Sequence, residues 1–159
     1  MREINLTTKI AVYLLEECSE MEKKLIDAAK SATTKAYAPY SGFRVGAAIL
    51  LENGEIVVGN NQENAAYPSG LCAERTALFF ANATHPDQKV EAVVVAAWHN
   101  GTFTHDVITP CGACRQVLLE AENRFQSPVK VLMYSEDGIY VVTAIKDLLP
   151  LSFGDEMLK

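Results

Sequence analysis

Residues 90–98, with the sequence VEAVVVAAW, limit the possible folds more than any other part of the chain. The run is almost continuously apolar and rich in β-branched residues, which is typical of a strand buried on both faces. Such a strand lies inside a sheet whose two faces are both covered by other elements. We therefore expect an α/β fold in which helices pack on both sides of a sheet.

Four further segments have the patterns of strands. FRVGAAILL and EIVVGNN flank Asn53 and Gly54, a pair of residues typical of a tight hairpin, so these two strands should be antiparallel. VKVLMY and GIYVVTAI are separated only by residues 135–137. Because a parallel crossover needs about a dozen residues, this pair should be antiparallel as well. Together, the five segments predict a three-layer α/β/α fold with a mixed five-stranded sheet.

The N-terminal part of the chain has a helical pattern. Apolar residues recur at helical spacing over residues 6–29, which predicts an amphipathic helix within an N-terminal helical segment, residues 1–30. Cys18 lies on the apolar face, where a cysteine packs as a small hydrophobic residue. No repeat or linker interrupts the sequence, so residues 1–159 are expected to form a single domain.

Two more helices are expected, and each contains cysteine near its start. One covers about residues 69–82 and begins with the sequence SGLCAE. The other follows the strand at 90–98, with Thr109 as N-cap and Pro110 as the first helical residue. Unpaired N–H groups and partial positive charge at a helix N-terminus favour thiolate over thiol, so cysteines at these places are suited to bind metal.

Composition excludes several classes of partner. A formal net charge of −6 argues against a nucleic-acid polymer. The longest unbroken apolar run, residues 92–98, is far below the roughly 18 residues that a membrane span requires. Glu16 and Glu17 directly follow the N-terminal apolar residues, which is unlike a signal peptide. We expect a cytoplasmic protein whose four cysteines bind metal, act in catalysis or lie buried, rather than form disulfides.

Three of the cysteines suggest a zinc site. Cys111 and Cys114 are three residues apart and can bind one ion from the first turn of a helix, and Cys72 can supply a third thiolate. Three protein ligands with one open position are typical of catalytic zinc, where the metal activates water. The alternative is a closed structural site, completed by one of four other residues: Cys18, His85, His99, His105.

Glu74 lies two residues after Cys72. By itself it would be an ordinary acidic residue in the first turn of a helix. A carboxylate beside a metal site can instead carry protons between water and substrate. The combination CAE followed later by PCGAC matches the [H/C]-x-E and P-C-x-x-C signature of zinc-dependent deaminases.

Over most of its length the chain resembles the cytidine deaminases of the short, homotetrameric, three-cysteine type. The resemblance is carried by YAPYSGFRVGAAIL, GNNQENAAYPSGLCAERTA, TPCGACRQVL and LLPLSFG, which occur in the family's order. It implies one zinc per chain held by Cys72, Cys111 and Cys114, with Glu74 as the proton shuttle. It further implies hydrolysis of cytidine and deoxycytidine to the corresponding uridines, with release of ammonia, in a homotetramer with shared active sites.

The resemblance also implies a set of substrate contacts. Asn61 and Glu63 would hold the ribose hydroxyls, Phe43 would pack on the pyrimidine, and the backbone of Ala73 would meet the carbonyl edge of the base. Phe153 would close over the base from a neighbouring chain, and Tyr67 would contact the 5′ side.

Two arginines follow the cysteine motifs directly. Three thiolates on Zn²⁺ give a formal charge of −1, which weakens the metal as a Lewis acid. Arg75 and Arg115 are therefore expected to donate hydrogen bonds to the thiolate ligands.

Three other functions remain possible at this point. A deaminase of another small molecule, such as blasticidin S, would share the zinc and Glu74, but Asn61 and Glu63 favour a nucleoside. A polynucleotide-editing deaminase is disfavoured by the acidic charge and by cysteine rather than histidine at position 72. A zinc-stabilised interaction module would not need Glu74.

The sequence also departs from the family at Arg44, where proline is frequent, and residues 1 to about 22 carry no expected function.

Overall fold

The computed structural model describes residues 1–158 of the chain and has a mixed sheet at its centre. The strands are β1 (Ala11–Tyr13), β2 (Arg44–Leu51), β3 (Ile56–Asn60), β4 (Val90–His99), β5 (Thr102–Phe103), β6 (Lys130–Ser135) and β7 (Gly138–Val142). Their order across the sheet is β1-β7-β6-β4-β2-β3, and β5 pairs with β4 outside this path.

Strand directions follow the sequence patterns. The β2–β3 and β6–β7 pairs are antiparallel, as their short connections require. β4 and β6 are parallel and are joined through the helix Gly112–Phe125, so the sheet is mixed. At the β2–β3 turn Gly54 has a φ of 85°, a conformation that a residue without a Cβ adopts readily.

The sheet has seven strands rather than the predicted five. β5 follows Asn100 and Gly101, whose φ angles are 52° and 87°, so a second Asn-Gly hairpin joins it to β4. β1 pairs antiparallel with β7 at the edge of the sheet. A strand of three residues is too short to show a period of two, and its pattern was hidden within the predicted helix.

In the described part of the chain, three α-helices flank the sheet: α1 (Glu20–Ala32), α2 (Ala73–Thr84) and α3 (Gly112–Phe125). The prediction of a helix from residue 6 is wrong before Glu20. The N-cap of α1 is Ser19, whose hydroxyl accepts from the Glu22 N–H while the Glu22 carboxylate accepts from the Ser19 N–H. Short 3₁₀ turns complete the regular structure: Leu15–Glu17, Thr33–Lys35, Tyr67–Ser69, Ile145–Leu148 and Asp155–Leu158.

Helices cover both faces of the sheet, which confirms the three-layer prediction. On one face α1 packs through Leu25, Ile26 and Ala29, and the buried Cys18 belongs to the same cluster, although it lies outside any helix. α2 and α3 pack on the other face of the sheet. Gly59 of β3 lets α2 approach closely, because a Cβ there would lie 2.4 Å from the Ala77 nitrogen.

The helix starts also differ from the predictions. The N-cap of α3 is Cys111 rather than Thr109, and Thr109 and Pro110 belong to the preceding loop. The N-cap of α2 is Cys72, so this helix starts after residue 72 instead of near residue 69. Among residues 1–158, no helix has both the length and the apolar composition needed to cross a bilayer.

Candidate active site

Three cysteine sulfurs meet where the N-termini of α2 and α3 come together. The Sγ atoms of Cys72 and Cys111 are 3.7 Å apart, and those of Cys111 and Cys114 are 3.6 Å apart. Cys72 and Cys111 are the N-caps of their helices and Cys114 lies in the first turn of α3. All four cysteines are free thiols, so the cluster is not a disulfide.

The spacing of these sulfurs fits zinc. In a tetrahedral site with Zn–S bonds of about 2.3 Å, two sulfurs lie about 3.8 Å apart, close to both measured distances. Within residues 1–158, Cys72, Cys111 and Cys114 are the one group of three or more potential ligands close enough to share an ion. The donor set therefore suits a zinc ion bound by three thiolates.

The residues considered for a closed, four-ligand site make other contacts. Cys18 is buried in the core on the opposite face of the sheet. His85 pairs with Glu55 at 3.1 Å, and His105 pairs with Asp137 at 3.0 Å. The Nδ1 atom of His99 lies 3.5 Å from the carbonyl oxygen of Gly42. The geometry thus favours three ligands and an open fourth position.

The two arginines expected to neutralise the thiolates behave differently. A terminal nitrogen of Arg75 lies 3.7 Å from Cys72 Sγ, as expected. The guanidinium of Arg115 instead donates to Pro110 O at 2.7 Å, to Leu148 O at 2.8 Å and to Thr109 Oγ1 at 3.1 Å. Arg115 therefore links the loop before α3 to Leu148. The prediction that it donates a hydrogen bond to a thiolate is wrong.

Charge in the cluster is concentrated on Cys72. A hydrogen bond from Cys114 lowers the pKa of Cys72 to about 5 despite its burial, and Arg75 adds to the effect. The same bond to Cys72, together with burial, raises the pKa of the Cys114 thiol. Of these two cysteines, Cys72 is thus the one that more readily presents a thiolate, the form in which cysteine binds a metal.

Glu74 is the buried acidic residue of the site. It lies in the first turn of α2 and is only 4% exposed. Burial raises the pKa of its carboxyl, and the charge of Cys72 acts in the same direction. A buried carboxyl with a raised pKa is suited to act as a general acid and base.

Two adjoining cavities open beside the cluster and share Asn61 and Cys72. The smaller, of about 180 Å³, is lined by Val45, Asn61, Cys72, Ala73, Glu74, Val95, Ile108, Thr109 and Cys111. The larger, of about 550 Å³, is lined by Tyr40, Ser41, Asn61, Gln62, Glu63, Asn64, Tyr67, Gly70, Leu71, Cys72 and Arg75. A flat ring placed in the smaller cavity would face Glu74 and the metal ligands, and a polar substituent would extend into the larger one.

Asn61 and Glu63 are held by the first residues of β2 and by the segment before it. The Asn61 side chain accepts from Val45 N at 2.8 Å and donates to Phe43 O at 2.9 Å. The Glu63 carboxylate accepts from the backbone N–H of Tyr40 at 2.9 Å and from the hydroxyl of Ser41. The Ser41 hydroxyl and the Tyr40 N–H lower the pKa of Glu63.

The sequence analysis did not identify Tyr40 and Ser41 as site residues. The motif YAPYSG contained them, and a serine that follows an aromatic residue in a turn beside the ribose pair was the available signal. Their contacts with Glu63 span more than twenty residues of chain, so only the folded structure reveals them.

Two aromatic residues expected in the site line neither cavity. Phe43 is half-buried, and its ring packs on His99 with the centroids 5.4 Å apart. Phe153 is 56% exposed, and its carbonyl accepts from Gln116 of α3 at 2.9 Å. Tyr67 does line the larger cavity, with 80% of its surface exposed.

Comparison with known proteins agrees with this geometry. The family model described as "Cytidine and deoxycytidylate deaminase zinc-binding region" matches residues 19–127. The chain belongs to this family. The match includes all three cysteines of the cluster and Glu74, and it confirms the resemblance seen in the sequence.

Individual relatives extend the similarity over most of the chain. A cytidine deaminase from Sporosarcina psychrophila is 41% identical over 136 residues, which are 86% of this chain and 93% of the relative. A probable cytidine deaminase from Dictyostelium discoideum is 44% identical over 137 residues, or 86% of each chain.

Solved structures show the same fold. The crystal structure of cytidine deaminase from Burkholderia pseudomallei aligns with a TM-score of 0.71 at 44% identity and covers 82% of this chain and 97% of that one. The cytidine deaminase from Mycobacterium tuberculosis aligns with a TM-score of 0.66 at 33% identity and covers 84% of this chain and 97% of that one.

Proposed function

We propose that this member of the cytidine deaminase family is a zinc-dependent hydrolase that converts cytidine and deoxycytidine to uridine and deoxyuridine. The observation that carries the proposal is the meeting of three thiols and the buried Glu74 around a cavity of about 180 Å³. The sulfur spacing supports one zinc ion per chain, held by Cys72, Cys111 and Cys114. When bound, zinc supplies the positive charge that activates water near neutral pH.

Glu74 moves the protons of the reaction. Its carboxylate takes a proton from the attacking water and delivers it to N3 of the pyrimidine, which prepares C4 for attack. It then takes the proton of the new hydroxyl group on C4 and gives it to the amino group leaving C4, so that the C4 carbonyl forms and water and cytidine become uridine and ammonia. Burial supports this role, because a carboxyl shielded from solvent exchanges protons with the substrate in preference to bulk water.

Asn61 and Glu63 orient the nucleoside. Both line the larger cavity, and Asn61 also lines the smaller one, so it stands where base and sugar would join. The bonds of Asn61 to Val45 and Phe43 use one acceptor site and one N–H of its amide, and the remaining ones are available to a ribose hydroxyl. The backbone of Ala73 meets the carbonyl edge of the base, and Tyr67 faces the 5′ side.

The site is completed by a second copy of the chain. Phe43 packs on one side of the pyrimidine, and Phe153 of a neighbouring chain covers the other. The exposure of Phe153 supports this arrangement, because Leu151, Met157 and Leu158 in the same part of the chain are exposed as well, and grouped exposed apolar side chains mark interaction surfaces. We propose a homotetramer in which each site is shared between subunits.

The same features favour a free nucleoside over other substrates. Blasticidin S would not need the ribose pair, and a polynucleotide would be repelled by the net charge of −6. A module that used zinc only for stability would have no use for the buried Glu74. Free thiols throughout the chain are consistent with the proposed cytoplasmic location.

Ultraviolet absorbance during incubation of the zinc-loaded protein with cytidine, deoxycytidine, CMP and cytosine tests the proposal. We expect deamination of the two nucleosides and at most slow reaction of CMP and cytosine. Faster reaction of cytosine or CMP would contradict the role assigned to the larger cavity. Inactivity with all four compounds, at full zinc content, would reject the proposed function.

A further inference from the structure

The last part of the chain is held from two directions. We define residues 145–154 as the closing segment, because it contains Phe153. From α3, Arg115 donates to Leu148 O at 2.8 Å and Gln116 donates to Phe153 O at 2.9 Å. From the N-terminal side, the hydroxyl of Thr8 donates to Asp147 O at 2.7 Å.

Thr8 is itself tied to the sheet. β1 begins three residues after it and pairs with β7, with Ala11 opposite Val141 and Tyr13 opposite Ile139. Val12 covers Gly138, where an added Cβ would lie 2.9 Å from a Val12 methyl carbon. Residues 1–18, which precede the region matched by the family model, are thus joined to the closing segment through β1 and Thr8.

The donors on α3 belong to the helix that starts at the metal site. Gln116 lies two residues after Cys114, in the turn of α3 that follows the two cysteines, so its hydrogen bond fixes the Phe153 backbone to the helix that carries two of the three thiols. The Phe153 ring, in contrast, stays largely exposed. Because the Phe153 backbone is held in place, its exposed ring can point in fewer directions from the surface, and this preorganisation favours binding.

We infer that Thr8 and Gln116 are positioning residues for Phe153, and that the N-terminal segment, residues 1–18, serves to hold the closing segment in place. The inference rests on the proposed function, in which Phe153 covers the base bound by a neighbouring chain. Neither Thr8 nor Gln116 touches the substrate. Their loss should weaken nucleoside binding while the chemical step and the metal site are preserved.

Substitutions of matched shape separate this role from a general effect on folding. Thr8→Val and Gln116→Met remove the donors with little change of volume. Thr84→Val and Gln126→Met are the controls, because Thr84 donates to Phe80 O at 2.8 Å and Gln126 donates to Asn123 O at 2.7 Å, both within their own helical regions. Phe153→Ala provides the reference for loss of the ring.

We expect Thr8→Val and Gln116→Met each to raise the KM for cytidine and the Kd for uridine about 3- to 10-fold, with kcat changed less than about twofold. Zinc content and sedimentation should equal those of wild type, and both controls should keep the wild-type KM. When combined with Phe153→Ala, neither substitution should raise KM further, because positioning has no effect once the ring is absent.

Each other outcome contradicts a different statement. If Phe153→Ala raises KM while Thr8→Val and Gln116→Met match their controls, the positioning role is wrong and the shared site stands. If their effects persist undiminished beside Phe153→Ala, the two residues act elsewhere and the inference is wrong. A wild-type KM for Phe153→Ala would overturn both the shared site and the inference. It would leave the proposed deamination of cytidine untouched, because that activity is measured separately.

Discussion

Gly59 of β3 is where the fold most directly controls the position of the metal site. A Cβ at this residue would lie 2.4 Å from Ala77 N, 2.6 Å from Ala73 O and 2.9 Å from Ala77 Cα, all of them backbone atoms of α2. Ordinary van der Waals contacts of a Cβ begin at 3.4 Å. Gly59→Ala therefore requires α2 to move away from the sheet by about 1 Å, since no flexible side chain can give way.

The cost follows from this geometry. Overpacking of a core usually costs about 1–3 kcal/mol, and a clash with helix backbone belongs at the upper end, so we expect about 3 kcal/mol. For a chain of this length each kcal/mol lowers Tm by about 2–4 °C, so the expected decrease is about 6–12 °C. Because Ala73 directly follows Cys72, the same displacement would move one thiolate away from the other two. Displacements near 1 Å at a catalytic site can cost about 100-fold in rate.

Thermal unfolding, zinc content and kcat measured on the same preparations test this reasoning. Gly112→Ala is the control, because nothing lies within 4 Å of an added Cβ there and alanine favours the helical conformation. We expect the control to match or slightly exceed the wild-type Tm. The decrease for Gly59→Ala should persist after zinc is removed with a chelator, since the clash does not involve the metal. A Tm within about 2 °C of wild type, with full activity, would refute the reasoning.

Four more predictions follow from the site and the core. Glu74→Gln should keep zinc and fold but lose several orders of magnitude in kcat, because an amide cannot relay protons; wild-type turnover would remove the proposed mechanism. X-ray absorption of the zinc-loaded protein should show three sulfur ligands and one lighter atom, and a fit to four sulfurs would indicate a closed site. Asn61→Ala should raise KM and lower the free energy of unfolding by about 1–3 kcal/mol, because two bonds to the start of β2 and the segment before it are lost, whereas Glu63→Ala should mainly raise KM; loss of zinc in either variant would make these residues structural. Burial alone would raise the pKa of Glu22, but hydrogen bonds from Lys130 and Ser19 outweigh burial and hold the pKa below its ordinary value. The ionised carboxylate therefore stabilises the folded state fully at pH values above the ordinary pKa of Glu, and this stabilisation is lost as the pH falls through the pKa of the folded state. In urea unfolding, the advantage of wild type over Glu22→Gln should therefore shrink as the solution is acidified, and an advantage that grows would contradict the sign.

Most of the site chemistry could be read from the sequence, because its signals lie in short windows. Cys111 and Cys114 share one helical turn, so their spacing predicts that they can bind one ion, and Glu74 lies two residues after Cys72. That Cys72, 39 residues before Cys111, joins them was implied by the family resemblance. The Asn53–Gly54 hairpin and the buried strand β4 are equally local, since each depends on backbone preference or apolar pattern within a few residues. Together these signals predicted three layers, and the core on each face of the sheet confirms them.

Tertiary structure decided what depends on partners distant in the chain. Both Arg75 and Arg115 follow a cysteine motif, yet Arg75 reaches Cys72 whereas Arg115 reaches the carbonyl of Leu148, which is 33 residues away. The spacing of apolar residues could not distinguish β1 from a helix, because the edge of β7 that pairs with it exists only in the folded sheet. A guanidinium or an unpaired strand edge forms hydrogen bonds with the groups that the fold brings within about 3 Å. Those groups come from other segments of the chain, so the local sequence does not identify them.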